Sequence, residues 1–338
     1  MRPFPREEPV RIGLVVNVCA GAGTERIRAA ARRALGRLSP ASVVVLAGGV
    51  EEQVAREAGG DIVLVPAGNG TASRVETAAS AVIETGVDVL VGVGGDGTLC
   101  DIAAALRPVP MHPPLLGIGM GSANVGPLVG VREADVELIE RGRLGEALVR
   151  SLEAFVATER VGHAFNDVAI SNSFFGTRAG QRLDLDAAGK LDGETREIEP
   201  SSVCTPGTWI AKNDRRLVDN TGGWIRQVVA SPVDDARAYA GKAISGLMCW
   251  APYVGNHGVL AAASRVMIRT KLQVADVEAA EPLRLAHVSF GAGDVVEIGG
   301  MEDGAVVVLD GNPMRRLGEN EVLTLRLSAQ AIRVLRIG

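Results

Sequence analysis

The sequence predicts a two-domain α/β protein in which a parallel sheet covered by helices is followed by a strand-dominated domain. Three observations lead there. The chain has 338 residues, enough for about two domains at roughly 150 residues each. In its first third, short apolar runs rich in β-branched residues alternate with segments of 3.6-residue periodicity, the pattern of strands and crossover helices. Beyond about residue 155 that periodicity gives way to short β-type runs broken by glycine.

Residues 12–16 form the first strand run, and Thr24 is placed to cap a helix with Ile27, Ala31, Ala34, Leu35 and Leu38 on one face. Residues 43–46 and 62–65 are further strands. A helix over 71–85 carries Ala72, Val75, Ala79, Val82 and Ile83 inward and stops at Gly86. Residues 87–91 read as a buried strand, and a helix beginning near Leu99 buries Ile102, Ala103 and Leu106. Pro108, Pro110, Pro113 and Pro114 make a rigid connection before a strand at 115–118. Residues 133–155 read as mostly helical and carry the chain between domains. The later strand runs are 165–170, 228–230, 266–268, 285–288, 295–298, 306–309 and 322–327, while 184–219 is polar and fits no element. The domains are accordingly 1–128 and 129–338, with the last residues returning to the first.

Composition excludes several functions. At 47% hydrophobic the chain can build packed cores, which rules out wholesale disorder. Aromatic content of 3% and a net charge of −5 leave neither stacking platforms nor a general basic surface for nucleic acid. No apolar run reaches the roughly 18 residues of a membrane span, and residues 1–8 lack the apolar core of a signal peptide. The cytoplasm is the expected address. Cys19, Cys100, Cys204 and Cys249 are widely spaced, and His112, His163, His257 and His287 are scattered. The former read as free thiols, the latter as structural, and no metal ligand set emerges.

The densest chemical signal is Val91-Gly92-Val93-Gly94-Gly95-Asp96-Gly97-Thr98-Leu99. It follows a strand and opens a helix, where backbone N–H groups and the helix dipole bind phosphate. Gly92, Gly94 and Gly97 also fit a dinucleotide fingerprint, but no Asp or Glu lies between Ile102 and Arg132 to hold a ribose. A carboxylate at Asp96 would repel a pyrophosphate on the same amides. It suits an alcohol about to be phosphorylated, whose proton it can accept, or a metal ion. An Asp at such a turn also commonly caps its own helix, and the spacing alone does not choose. Two further loops, Asn17-Val18-Cys19-Ala20-Gly21-Ala22-Gly23-Thr24 and Gly117-Ile118-Gly119-Met120-Gly121-Ser122-Ala123-Asn124, also follow strands. Loops at the carboxyl ends of parallel strands line the crevice where open sheets bind ligands. No Walker loop and no nucleophile elbow is present.

These loops resemble the ATP-NAD kinase family, within the superfamily of NAD and diacylglycerol kinases. Asn17, Ala20, Gly21 and Gly23 match its Asn-Pro-x-Ala-Gly-x-Gly with Val18 for the proline, and Gly94–Gly95–Asp96–Gly97–Thr98 matches its Gly-Gly-Asp-Gly-Thr. Asn166-Asp167 resembles its Asn-Glu/Asp motif and Asp310-Gly311 its late Asp-Gly turn. Residues 71–106 look like the branch containing archaeal-type NAD kinases and the acetoin-catabolism protein X, and residues 224–229 and 242–248 look closer to protein X than to ordinary NAD kinases. The Thr-Gly-Ser-Thr-Ala-Tyr pocket segment of common NAD kinases is not recognisable. Tyr239 is at best its remnant, and the loop ending at Ser122 and Asn124 resembles that of diacylglycerol-type kinases.

The resemblance implies a Rossmann-like, doubly wound first domain, a β-rich second domain and a site between them. It makes Asp96 the catalytic base. It gives the phosphate and nucleoside contacts to Asn17, Gly21, Gly23, Gly94, Gly95, Gly97, Thr98, Ser122, Asn124, Asn166, Asp167 and Asp310. Asn-Asp and Asp-Gly are equally good turn chemistry. The expected cofactors are ATP, NAD and Mg²⁺, the partners are nucleotide substrates, and a homo-oligomer is in keeping with relatives. The expected activity is phosphorylation of the 2′-hydroxyl of NAD. Its rivals are a kinase for a lipid or sugar and a non-catalytic NAD/ATP-binding regulator of the acetoin type.

Overall fold

The structure, a computed structural model, describes residues 9–66, 73–121, 124, 126–178, 181–233, 256–271 and 282–338. The chain forms two compact units, Met1–Val149 with Gln330–Gly338, and Arg150–Ala329. Residues 129–149, assigned from sequence to the second domain, thus fall in the first unit.

The first unit alternates β1 (Arg11–Val16), α1 (Thr24–Leu38), β2 (Ser42–Leu46), α2 (Val50–Ala58), β3 (Asp61–Val65), α3 (Arg74–Glu84), β4 (Val89–Gly94), α4 (Asp96–Leu106) and β5 (Leu115–Gly119). The short β6 (Val131–Arg132), two 3₁₀ turns and β7 (Leu144–Val149) follow. The second unit carries β8 (Leu152–Val156), β9 (Glu159–Ala164), β10 (Val168–Ser171), β11 (Ser173–Arg178), β12 (Gln181–Asp186), α5 (Ala187–Leu191), β13 (Cys204–Lys212), β14 (Arg215–Asp219) and β15 (Gln227–Pro232). It continues through β16 (Gly258–Ala263), β17 (Leu285–Phe290), β18 (Val295–Met301), β19 (Val306–Leu309), β20 (Asn312–Arg316) and β21 (Leu323–Leu327). The last strand, β22 (Ile332–Ile337), belongs to the first unit.

The first unit's sheet runs β3-β2-β1-β4-β5-β22-β7, with β6 beside β5. β1 to β5 are mutually parallel. The strand order reverses between β1 and β4, the switch point at which such sheets open a crevice. Apolar residues of α1 and α2 cover one face, packing on Ile12, Leu14, Val43, Val45, Val89 and Val91. On the other face α4 lies so close that a Cβ at Gly92 would sit 2.6 Å from Ile102 Cδ1. The first unit is therefore the helix-covered parallel layer that the alternation predicts, doubly wound as the resemblance implies. The second unit is a sandwich of two six-stranded antiparallel sheets, β17-β16-β15-β10-β19-β20 and β14-β13-β18-β21-β8-β9, plus the hairpin β11-β12. Both large sheets feed one core, in which Ile170, Val228, Leu260 and Val307 meet Ala154, Ile210, Ile298 and Leu325. Among the described residues no helix is long and apolar enough to cross a membrane.

Several local expectations need correction. Thr24 is the first residue of α1, and Gly23 is the cap, with no side-chain bond. α4 starts at Asp96 rather than Leu99. Residues 133–155 form 3₁₀ turns and two strands, because β7 pairs with β22 over six residues and β8 with β21 over five. Long-range ladders there override helical periodicity. Residues 266–268 are not a strand: the Gln227 side-chain carbonyl accepts from Met267 N (2.8 Å) and Ile268 N (3.0 Å), replacing a ladder partner. Within 184–219 lie the end of β12, α5, β13 and β14. The helix placed at 71–85 runs Arg74–Glu84, capped by the Ser73 hydroxyl, while Ala72 lies outside the described residues.

Candidate active site

In the first unit, the loops after β1, β4 and β5 are bound to one another. Asn17 is the hub of the first. Its N–H donates to Val93 O (2.9 Å), its side-chain Nδ2 to Thr98 Oγ1 (2.9 Å), and its Oδ1 accepts from Cys19 N (3.0 Å). Ala22 N donates to Met120 O (3.0 Å) and Met120 N to Gly94 O (2.6 Å), so the first loop meets the third and the third meets the second. Asn124, at φ 53, closes the third loop on itself, exchanging side-chain bonds with Gly121 N (2.6 Å) and Gly121 O (2.7 Å).

The approach of the second and third loops is backbone to backbone. A Cβ on Gly121 would stand 2.7 Å from Gly95 Cα, and one on Gly95 would stand 3.2 Å from Gly121 Cα. Gly94 is likewise closed to a side chain by Thr98, 2.6 Å away, and Thr98 is buried. Gly21 and Gly23 are exposed, and Gly23 has φ 87, a conformation that favours glycine. Ser122 lies outside the described residues.

Asp96 occupies the first turn of α4, whose cap is Gly95 in extended conformation with no side-chain bond. Its carboxylate reaches beyond its own helix. Oδ1 accepts from Gly126 N at 2.9 Å, thirty residues away, beyond the third loop. The residue is half-buried. A carboxylate in this position can tether the neighbouring loop and still face a ligand, as a base for an alcohol requires.

The second unit brings Asn166, Asp167 and Asp310 together. Asp310 and Gly311, at φ 49 and 79, form the two-residue turn between β19 and β20, across which Leu309 faces Asn312. Positive φ at both central positions is what an Asp-Gly hairpin turn provides. The Asp310 carboxylate reaches across to the turn before β10 and accepts three successive backbone N–H groups: Phe165 (2.8 Å), Asn166 (2.6 Å) and Asp167 (3.0 Å). Asp310 N donates in return to Asp167 O (2.9 Å). The Ser231 hydroxyl holds Asn166 O from the other side. With its backbone so fixed, Asn166 leaves its side-chain Oδ1 buried and with no hydrogen-bond partner among the described residues. Buried acceptors of this kind normally have a donor, and a bound ligand can supply it.

Three residues at the first unit's carboxyl edge gave no sequence signal. Glu51, in the first turn of α2, is 1% exposed, accepts from Val16 N (3.2 Å) and pairs with Arg74 (3.1 Å). Asp101 on α4 accepts from the Ser73 hydroxyl (3.0 Å); burial pushes its carboxyl above the usual range, against the opposing effect of that hydroxyl. Gly126 matters through its N–H alone. None sits in a glycine motif, and each is recognised only from long-range contacts. Tyr239 and residues 242–248 lie outside the described residues. His112 is buried, with ring nitrogens near Pro113 O and Ala331 O, a structural setting.

Comparison with known proteins places these loops in context. Residues 12–134 match the ATP-NAD kinase N-terminal domain. An uncharacterized protein of Archaeoglobus fulgidus is 31% identical over 309 residues, spanning 90% of this chain and 92% of that protein. Yeast NADH kinase complexed with NADH is similar in structure with a TM-score of 0.55 at 12% identity, over 98% of this chain and 84% of that one. A diacylglycerol kinase from Bacillus anthracis str. Sterne gives 0.52 at 14% identity, over 97% of both chains. At such identities these two structures share the fold.

Proposed function

The chain belongs to the superfamily of NAD kinases and diacylglycerol kinases, and from that membership we propose that it transfers the terminal phosphoryl group of ATP to the 2′-hydroxyl of NAD⁺. The observation that carries the proposal is the Asp96 carboxylate, half-buried among three interlocked glycine loops and bonded across to Gly126 beyond the third of them. Asp96 orients the acceptor hydroxyl and takes its proton as the oxygen bonds to the γ-phosphorus. The bridging bond to the β-phosphate breaks and ADP leaves. Amides of the loops around Asn17, Gly21, Gly23, Gly94, Gly95, Gly97, Thr98, Ser122 and Asn124 hold the phosphates. In this scheme Thr98 and Asn124 act through the loops they brace. Asn166 and Asp167 meet the nucleoside, whose amino group is a fitting donor for Asn166 Oδ1. Asp310 acts through them.

The close backbone approach of Gly95 and Gly121 sets amides of the second and third loops side by side, which suits a phosphate chain lying against backbone. Among the described residues no three His, Cys, Asp or Glu side chains are grouped to hold a metal ion. In this reading Mg²⁺ enters on the nucleotide, since Mg²⁺ is usually bound by substrate phosphates with one or two carboxylates. Its part would be to neutralise charge on the transferring group.

Calorimetry with ATP and with NAD⁺, followed by an ADP-release assay, tests the proposal. NADP⁺ formed in step with ADP is the expected result. ADP released with a dispersed diacylglycerol or a sugar but not with NAD⁺ would move the acceptor. Binding of both nucleotides without ADP release would favour a regulatory protein.

A further inference from the structure

We propose that Arg74 is a phosphate-binding residue, its guanidinium held in place by the buried carboxylate of Glu51 and receiving the polyphosphate chain of the nucleotide on the glycine loops. The inference rests on the kinase reading and supplies the charge which that reading lacks. Residues 17–24, 91–99 and 117–124 contain no lysine or arginine. Their amides carry only partial charges, whereas a nucleoside triphosphate brings several full negative charges and Asp96 adds another.

Arg74 opens α3 and Glu51 stands in the first turn of α2, both at the carboxyl edge from which the first loop leaves. The β1–β2 ladder pairs residues 11–13 with 42–44. Further along, Glu51 Oε1 takes the Val16 N–H at 3.2 Å, and Oε2 takes Arg74 Nη2 at 3.1 Å. Gly49 makes the room, since a Cβ there would lie 2.3 Å from Glu51 Oε2 and 3.0 Å from Arg74 Nη2. A carboxylate with 1% exposure is costly to leave without a cation, so the guanidinium is fixed by what it neutralises. The chain of bonds ends at Val16, one residue before the Asn17 hub.

Arg74 is nonetheless 55% exposed along its side chain. Its bond to Glu51 uses one N–H of the five a guanidinium carries. A planar fork anchored on one side and open on the other is suited to bidentate phosphate contact. Arg26, in the first turn of α1, and Arg132, beside the end of β5, also stand at ends of these elements. Arg26 is occupied by a two-bond contact with Glu133. Arg132, exposed beside Gly119, has no ion-pair partner among the described residues.

The test is calorimetry with ATP and with adenosine on the wild type, the double variant Glu51→Gln/Arg74→Gln, Arg74→Lys and Arg132→Ala. The double variant removes both charges together and so leaves no orphan carboxylate. It should bind ATP about tenfold more weakly or worse, with adenosine affinity unchanged within about twofold. Unchanged ATP affinity overturns the inference. So does an equal loss of ATP and adenosine, which would mark a structural role, or an equal loss in Arg132→Ala, which would mark general electrostatics. If the double variant does not fold, Arg74→Lys decides, because it keeps the ion pair and loses the fork. A loss of about threefold or more for ATP alone supports the role, and none refutes it. A wild type that binds no ATP would instead bring down the kinase reading itself.

Discussion

Asp96 and Asp310 present the same local signal in two different units: an aspartate after a buried strand, followed by glycine. Their surroundings assign them different work. Asp310 lies at positive φ in a two-residue hairpin turn and gives its carboxylate to three backbone N–H groups of the 165–167 turn. Asp96 opens a helix and accepts from Gly126 across a loop junction, inside a half-exposed, glycine-lined edge. One carboxylate holds a turn so that its neighbour Asn166 can present a side chain. The other, in the proposed function, itself faces the acceptor. The lesson is that an Asp-Gly pair becomes interpretable from where in the chain the N–H groups it accepts lie.

The sharpest way to break this contrast is Asp96→Asn. The amide oxygen still accepts from Gly126 N, so the fold should persist, while loss of the base lowers turnover about 10²–10⁴-fold. ADP release and thermal melting measured together check both halves, and near-normal turnover removes Asp96 from the chemistry. Next in size is Asp310→Ala. Three N–H groups lose a charged acceptor and alanine tolerates the left-handed backbone poorly, for a cost of about 2–4 kcal/mol. Asp310→Asn keeps an acceptor and the turn, and should cost about half as much. Urea unfolding separates the two, and equal small losses would end the anchoring role. Gly121→Ala sharpens the other side: it drives a methyl against the Gly95 backbone and should cost about 1–3 kcal/mol, with ATP affinity falling alongside.

The smallest effect is electrostatic. Burial raises the Asp101 carboxyl in the folded state, with the Ser73 hydroxyl opposing. Its stabilising contribution is therefore present below the unfolded carboxylate pKa and lost as pH rises through the folded one. Asp101→Asn should melt slightly higher than wild type near neutral pH and show no such gain in acid. A pH-independent difference would contradict that sign.

Much of the first unit was legible because β1, β2, β4 and β5 are buried and read as unbroken apolar runs, and α1, α3 and α4 each bury one apolar stripe. The glycine loops were legible because loops that pack backbone to backbone restrict side chains at fixed spacings; Gly95 and Gly121 show that restriction as a distance. What escaped was set by partners distant in sequence. Residues 144–149 look helical alone and become a strand when β22 arrives. Gln227 replaces a ladder bond for 267–268. Glu51 and Arg74 are ordinary helix residues until the splayed ends of β1 and β2 bring them together. The role of Asp310 could be suspected from its turn, but the acceptance of three N–H groups 143–145 residues away could not.

The position of β22 has a consequence for biosynthesis. Residues 332–337 run between β5 and β7, parallel to one and antiparallel to the other, so the sheet that carries the glycine loops is stitched shut by a strand made after the whole second unit. On a ribosome adding about 5–20 residues per second, the first unit must wait with two open strand edges while nearly two hundred intervening residues are made. Open edges of that kind invite wrong pairings. A chain cut before residue 330 is thus expected to emerge with its second unit whole and its first unit unable to close.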